Sequence, residues 1–298
     1  MKLIVQPDDG VTPLVTAIQR AKKTIDTTIF RFDRAEIEKA LAAAVARGVT
    51  VRALIAHTNR GGEKSLRKLE LRLLGAGVTV ARTADDLVRY HDKLLIIDRK
   101  TLYLLGFNYT GLDILKSRTF GVAARHRKLV QEAEKLFEAD LTRQPYTPGL
   151  DILLVSPLNA RAGLTAFIRK ARKRLSIYDP HVTDYAMVRL LQERAKAGVE
   201  VRLLGKLQQR ASGLVVRKYP GKRLHIRAIV RDDRQAFLGS QGLRRLELDE
   251  RREAGLVIRD PKVVTRLRDV FEADWALTEE EAAAKPAGEG AADKQASA

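Results

Sequence analysis

Two histidines sit at the same step of the same short pattern, once in each half of this 298-residue chain. The first copy reads His91-x-Lys93-x4-Asp98 and the second His225-x-Arg227-x4-Asp232. A phosphodiester cleaved through a covalent intermediate needs such a set. One imidazole attacks phosphorus, another protonates the departing oxygen, and cations hold the phosphoryl charge. A lone histidine on a strand is usually a surface or satisfied core residue, but two at matched positions weigh against that reading. The aspartates read two ways. Asp98 and Asp232 precede basic turn residues and could cap a hairpin turn, or they could support the chemistry.

The repeat extends well beyond the histidines. Ile18–Ile25 matches Ile168–Leu175, Gly48–Arg52 matches Gly198–Arg202, and Pro7 matches Pro157, all at an offset of 150. Later, Phe137-Glu-Ala-Asp140 matches Phe271-Glu-Ala-Asp274 at an offset of 134, as His91 matches His225. The second copy is therefore the same unit, shortened by 16 residues between its Gly-Val strand and its His motif. A repeat of this length indicates duplicated domains and not a solenoid.

Alternating periodicities place the motif within each unit. In the first, strands are expected at Leu3–Gln6, Thr24–Phe30, Val49–Ala56, Val78–Ala81, Lys93–Ile97 and Thr101–Leu105. Helices are expected at Val11–Lys22, Arg34–Ala46, Glu63–Leu74 and Lys128–Leu141, with Gly48 stopping the second of them. That order predicts an α/β layered unit with a mixed sheet. Thr142–Gly149, with two prolines and a glycine, reads as a linker. The expected division is 1–148, 149–278 and a disordered tail over 279–298, where little remains to bury. In an extended segment residues two apart face one side, so His91 and Lys93 project together, as do His225 and Arg227. If the units pack about a pseudo-two-fold axis, both patches merge into one site.

At this point the chain resembles the phospholipase D superfamily, which carries a duplicated HxKx4Dx6GSxN motif. The spacing is intact in both copies. The first ends Leu105-Gly106-Phe107-Asn108 and the second Gly239-Ser240-Gln241-Gly242. Leu105 and Gly106 stand where the family has Gly-Ser, Arg227 stands for Lys, and Gly242 stands for Asn. The family also has an acidic residue shortly after the motif. Glu253 matches it in the second copy, whereas the first has Thr119. The resemblance covers nearly all of the chain to about Trp275. It implies two tandem α-β-α units and a phosphohistidine mechanism in which one of His91 and His225 is nucleophile and the other general acid; the residues do not fix which attacks, and the reading leans to His91. Lys93, Arg227, Asn108 and Ser240 would hold the phosphoryl oxygens, and Glu253 would fix the tautomer of one imidazole. Neither a metal nor any other cofactor is implied. Arg for Lys at 227 keeps the charge and adds bidentate capacity. Because the losses alternate between copies, the merged site keeps at least one of each family element.

Composition sets the remaining bounds. Lysine and arginine number 55 against 37 acidic residues, a net charge of +18, which favours an anionic partner without choosing one. There is no cysteine, which excludes disulfides and thiolate metal sites. The start resembles no signal peptide, and the reading is a soluble, cytoplasmic protein. His57 and His181 follow expected strands and could reach the rim of the site. His126 belongs to a basic stretch, and Gly61-Gly62 lacks the context of a phosphate loop. The leading expectation is a phosphodiesterase hydrolysing or transferring phosphatidyl groups. Two alternatives are a nuclease of the same superfamily and a non-catalytic binder of nucleic acid or anionic lipid. A cardiolipin-synthase role fits less well, because such proteins usually carry N-terminal membrane helices and this sequence opens at the repeat unit. Expected partners are a phospholipid or nucleic-acid substrate, with peripheral contact to an anionic membrane. Both copies lie in one chain, so no oligomer is needed to build the site.

Overall fold

The structure, a computed structural model, describes residues 1–58, 63–209, 211–221 and 223–284. The first unit contains β1 (Lys2–Gln6), α1 (Thr12–Arg20), β2 (Thr24–Ile29), α2 (Ala35–Ala46), β3 (Thr50–Ile55), α3 (Glu63–Gly75), β4 (Thr79–Arg82), β5 (Arg89–Tyr90), β6 (Leu94–Ile97), β7 (Thr101–Leu105), α4 (Gly111–Lys116), β8 (Ser117–Ala124) and α5 (Arg127–Thr142). The second repeats that order. It runs β9 (Leu153–Ser156), α6 (Ala160–Arg169), β10 (Arg174–Val182), α7 (Tyr185–Lys196), β11 (Glu200–Leu207), β12 (Leu214–Arg217), β13 (Arg223–Leu224), β14 (Arg227–Arg231), β15 (Gln235–Gly239), α8 (Arg245–Asp249), β16 (Arg251–Ile258) and α9 (Pro261–Ala284). Among the described residues it has no counterpart of α3, which falls in the segment missing from the second copy.

Each unit folds around a mixed sheet. The first has the order β1-β8-β7-β6-β2-β3-β4, and the second repeats it with β9 beside β16. Strands β2, β3 and β4 run parallel, as βαβ crossovers require, and β6, β7, β8 and β1 add antiparallel partners. Helices α2 and α7 stop where Gly48 and Gly198 take φ of +84° and +86°, a conformation that costs any other residue strain. One face of each sheet packs on its own helices, α1–α3 in the first unit and α6–α7 in the second. The opposite faces share a third apolar cluster. It joins Leu104, Phe120 and Phe137 of the first unit to Tyr178, Leu238 and Phe271 of the second, with α5 and α9 inside it.

Most of the expected elements form within two residues of their predicted ends. Strand β8 and the short elements β5 and α4 were not expected. The linker is better packed than its composition suggests. Tyr146 is buried, and Glu132 of α5 accepts both its hydroxyl and the Gly149 amide. Residues 279–284, expected to open the tail, are helical, because α9 continues without a break through Ala284. Residues 285–298 of the expected tail, and Gly61-Gly62, lie outside the described residues. Among the described residues no helix is long and apolar enough to cross a membrane.

Candidate active site

Each histidine is placed by the other unit. Strand β5 pairs in parallel with Arg251–Arg252 at the start of β16, and His91 N–H donates to the Arg252 carbonyl at 2.7 Å. By the same rule β13 pairs with Ser117–Arg118 of β8, and His225 N–H donates to the Arg118 carbonyl at 3.1 Å. Two buried ion pairs brace this exchange. Arg252 meets Asp140 of α5 at 3.0 Å, and Arg118 meets Asp274 of α9 at 3.0 Å. Each pair crosses between the units, and the two are related by the offset of 134 residues.

Glu253, directly after Arg252, reaches His91 across the seam. Its oxygens lie 2.8 and 3.0 Å from Nδ1, which leaves Nε2 of His91 for substrate. Phe30 packs edge-on against the imidazole, with ring centroids 4.6 Å apart, and also lies under the Lys93 ammonium. Lys93 donates back to the His91 carbonyl. Burial, Lys93 and Arg227 all push the His91 imidazole well below its usual pKa, so it stands neutral at pH 7. Burial also lowers Lys93, from 10.5 to about 8, against the pull of Glu253 and Asp113.

The second half is built differently. Arg227 is held by Glu247, with Nη2 donating to Oε1 at 2.7 Å and Nε to Oε2 at 3.2 Å. Burial opposes its charge, but Glu247, Asp179 and Glu253 outweigh burial and keep Arg227 protonated. Arg251 lies farther from the same carboxylates, 3.8 Å from Glu247 and 3.9 Å from Glu253, with its Nε buried and unpartnered. His225 Nδ1 stands 3.3 Å from Asp113 Oδ2. Burial and Arg227 lower the His225 pKa while Asp113 raises it, and the net shift is well downward.

The structure therefore gathers His91, Lys93, His225, Arg227 and Glu253 at one seam. It places the remaining expected residues less directly. Asn108 directs Nδ2 and its backbone N–H at Asp113 (2.7 and 2.8 Å), and its Oδ1 is buried without a partner. The Ser240 hydroxyl donates to the Ala254 carbonyl at 3.3 Å and accepts its N–H at 3.2 Å, beside Glu253. Asp98 and Asp232 sit away from the seam. The expectation that they cap their own hairpin turns needs correction. Asp98 accepts the amides of Lys22, Lys23 and Thr24, and Asp232 those of Arg172, Lys173 and Arg174, so each ties its hairpin to the entry of the neighbouring strand. His57 and His126 are exposed. His181 donates its amide to Asp179.

Two of the departures from the motif, Gly106 and Gly242, have steric reasons. A Cβ at Gly106 would lie 2.8 Å from Ile226 Cδ1 and 2.9 Å from the Phe120 carbonyl. A Cβ at Gly242 would lie 2.6 Å from Asp179 Oδ2 and 3.0 Å from Glu247 Oε2. Asp113, Glu247, Asp179 and Arg251 were not anticipated. A signal for the first two was present, since each stands five residues past the last motif position, at the offset of 134. Among the described residues no group of three or more His, Cys, Asp or Glu is arranged to hold a metal ion.

Comparison with known proteins identifies the family and the fold. A family model described as "Cardiolipin synthase, PLD-like domain" matches residues 14–141 and again 164–275. The chain belongs to the phospholipase D superfamily. Its fold is similar to solved structures at low identity. Polyphosphate kinase from Porphyromonas gingivalis superposes with a TM-score of 0.76 at 20% identity, over 92% of this chain and 50% of that one. The chain thus spans about half the length of that kinase. Phosphatidylserine synthase from Haemophilus influenzae gives 0.68 at 14% identity, over 93% and 86% of the two chains. The phospholipase D family member Nuc from Salmonella typhimurium gives 0.44 at 25% identity, over 48% of this chain and 95% of that one. No curated protein matches the sequence. Members of this superfamily act on phosphodiesters or transfer phosphoryl groups.

Proposed function

We propose that the protein cleaves or transfers a phosphodiester, with a phosphatidyl group as the leading substrate, through a phosphohistidine on His91. The observation that carries this reading is the contact between His91 Nδ1 and the Glu253 carboxylate, made across the seam beside Lys93. A neutral imidazole with Nδ1–H held by a carboxylate presents the Nε2 lone pair to phosphorus. In the first step the Nε2–P bond forms and the P–O bond to the leaving group breaks. His225, protonated on Nε2 when the anionic substrate is bound, gives that proton to the departing oxygen. In the second step His225 takes a proton from water or an alcohol, that oxygen bonds to phosphorus, and the Nε2–P bond breaks. Lys93 and Arg227 stabilise the charge on the equatorial oxygens, and Glu253 stabilises the positive charge of the phosphoimidazole.

The substrate class rests on a separate observation. Helix α4, which carries Asp113 to the site, exposes Leu112 and Leu115 (45% and 42%), an apolar edge suited to acyl chains beside a phosphate site. The test compares phosphatidylglycerol vesicles with single- and double-stranded DNA in EDTA. Headgroup release that vanishes in both His91→Ala and His225→Ala, with DNA intact, is the expected result. Acid-labile, base-stable phosphate retained on His91 would trap the intermediate. Unchanged turnover in those variants would sink the mechanism. DNA cleavage would move the reading to a nuclease, and salt-sensitive DNA binding without turnover would move it to a binder.

A further inference from the structure

The pseudo-two-fold axis that gives His91 its carboxylate should give His225 one as well. Glu253 on β16 serves His91, and the equivalent position on β8 is Thr119. Thr119 is 0% exposed and its hydroxyl has no partner. The carboxylate nearest His225 comes instead from six residues earlier, on the first turn of α4. Asp113 is itself only 2% exposed, and its placement is over-determined. Its N–H is accepted by the Thr110 hydroxyl, which caps α4. Its Oδ2 accepts both donors of Asn108, and its Oδ1 accepts Arg223 Nη1 at 2.7 Å.

We propose that Asp113 is the positioning residue of His225, a carboxylate relocated from strand β8 to helix α4 in place of the acid that position 119 lacks. This rests on the reading of His225 as general acid. The motif residue Asn108 then acts through Asp113, by aiming its carboxylate. The relocation explains why the two imidazoles are held unequally. Glu253 contacts His91 with both oxygens, whereas Asp113 bonds Asn108 and Arg223 and meets His225 Nδ1, which makes no hydrogen bond, at ion-pair distance. A group that only needs a tautomer fixed gains from the first arrangement. A group that must give up and regain a proton in each cycle is served by the second. Asp113's partner at the 134 offset, Glu247, bonds Arg227 and acts on His91 only through its charge, whereas Asp113 stands 3.3 Å from His225 Nδ1.

The charged groups facing His225 are Asp113 from α4, Arg223 from β13, Arg227 from β14 and Lys93 ahead of β6. Asp113 is the one carboxylate among them, so removing it leaves three cations. Asp113→Asn is expected to lower the His225 imidazole pKa, read by NMR titration of the full-length protein. It should also lower kcat by roughly 10²-fold with little change in KM. The alkaline fall of kcat/KM should begin at lower pH, because the acid loses its proton sooner. Asp113→Glu should keep most of the activity. Thr119→Glu placed in the Asp113→Asn background should recover at least tenfold, by restoring the carboxylate where the axis would put it. An unchanged His225 titration in Asp113→Asn would overturn the proposal, since a purely structural role predicts no electrostatic shift. A loss of kcat that follows lost thermal stability and is not recovered by Asp113→Glu would overturn it too. His91→Ala keeps the underlying reading separate. If that variant still turns over, the phosphohistidine mechanism fails, whereas the titration of His225 still reports on Asp113.

Discussion

Lys93 shows what the chemistry costs at the scale of one residue. Its ammonium is 2% exposed and donates to the His91 carbonyl. Burial lowers its pKa from 10.5 to about 8. That shift corresponds to about 3 kcal/mol of preference for the neutral form in the folded chain. The sign follows from proton counting. Below about pH 8 both folded and unfolded chains hold the proton, and the full cost of burying the charge is present. Between about 8 and 10.5 only the unfolded chain holds it, so stability rises with pH across that window. Lys93→Met fills a similar volume without the charge. It is expected to abolish turnover while raising stability at pH 7 by up to about 3 kcal/mol. It should also flatten the rise between pH 8 and 10. Urea unfolding at several pH values reads both effects, and a destabilised Met variant that keeps the slope would contradict the argument. Residues such as Lys93 and His91 were legible in the sequence because their spacing repeats. Asp113 was not, because a single acid on a six-residue helix looks like any solvated side chain until its contact with His225 is seen. Thr119 was legible as a gap, but not what fills it.

At the scale of elements, the site depends on strands that cross between units. The β-α order of each unit was readable from periodicity, as were the 134- and 150-residue offsets. Strands β5 and β13 were not, because two-residue strands whose partners lie in the other unit leave no local pattern. Nor was β8 read, although it sits between β1 and β7 and carries both Arg118 and Thr119. The ion pairs that brace the crossing are buried, and this decides how they respond to mutation. Removing one partner of such a pair strands a charge, at a cost of about 3–5 kcal/mol. Asp140→Ala should incur a loss of that size because it leaves the Arg252 guanidinium buried. Turnover should fall with it, since the Arg252 carbonyl holds His91 and the next residue is Glu253. Asp140→Leu combined with Arg252→Met should be more stable than Asp140→Ala alone, because no charge is left unpaired. A double-mutant cycle by chemical denaturation measures the coupling. A coupling near zero would mean that the bridge does not brace the seam.

At the scale of the whole molecule, two units of domain size would ordinarily unfold separately if their interface were small and polar. Here the interface is a core. Phe120 of β8 packs edge-on against Tyr178 of β10 at 5.4 Å, Tyr178 against Phe271 at 5.0 Å, and Phe271 stacks on Trp275 at 5.6 Å. The chain of rings therefore runs from the first sheet through the second unit to α9. Separating the units would expose the inner faces of both sheets together with α5 and α9, which makes a half-folded species unfavourable. One cooperative transition is expected, and the sequence supplies a convenient probe. Trp275 is the only tryptophan, and the Arg202 and Arg217 guanidiniums lie over its ring. Its fluorescence follows the second unit, while far-ultraviolet circular dichroism follows both. The two signals should trace one curve in urea. Turnover should disappear on that same curve, because His91 and Glu253 come from different units and lose contact when the seam opens. Fluorescence and dichroism transitions at separate midpoints, or activity surviving past the fluorescence midpoint, would show that the units hold together by less than the shared core implies.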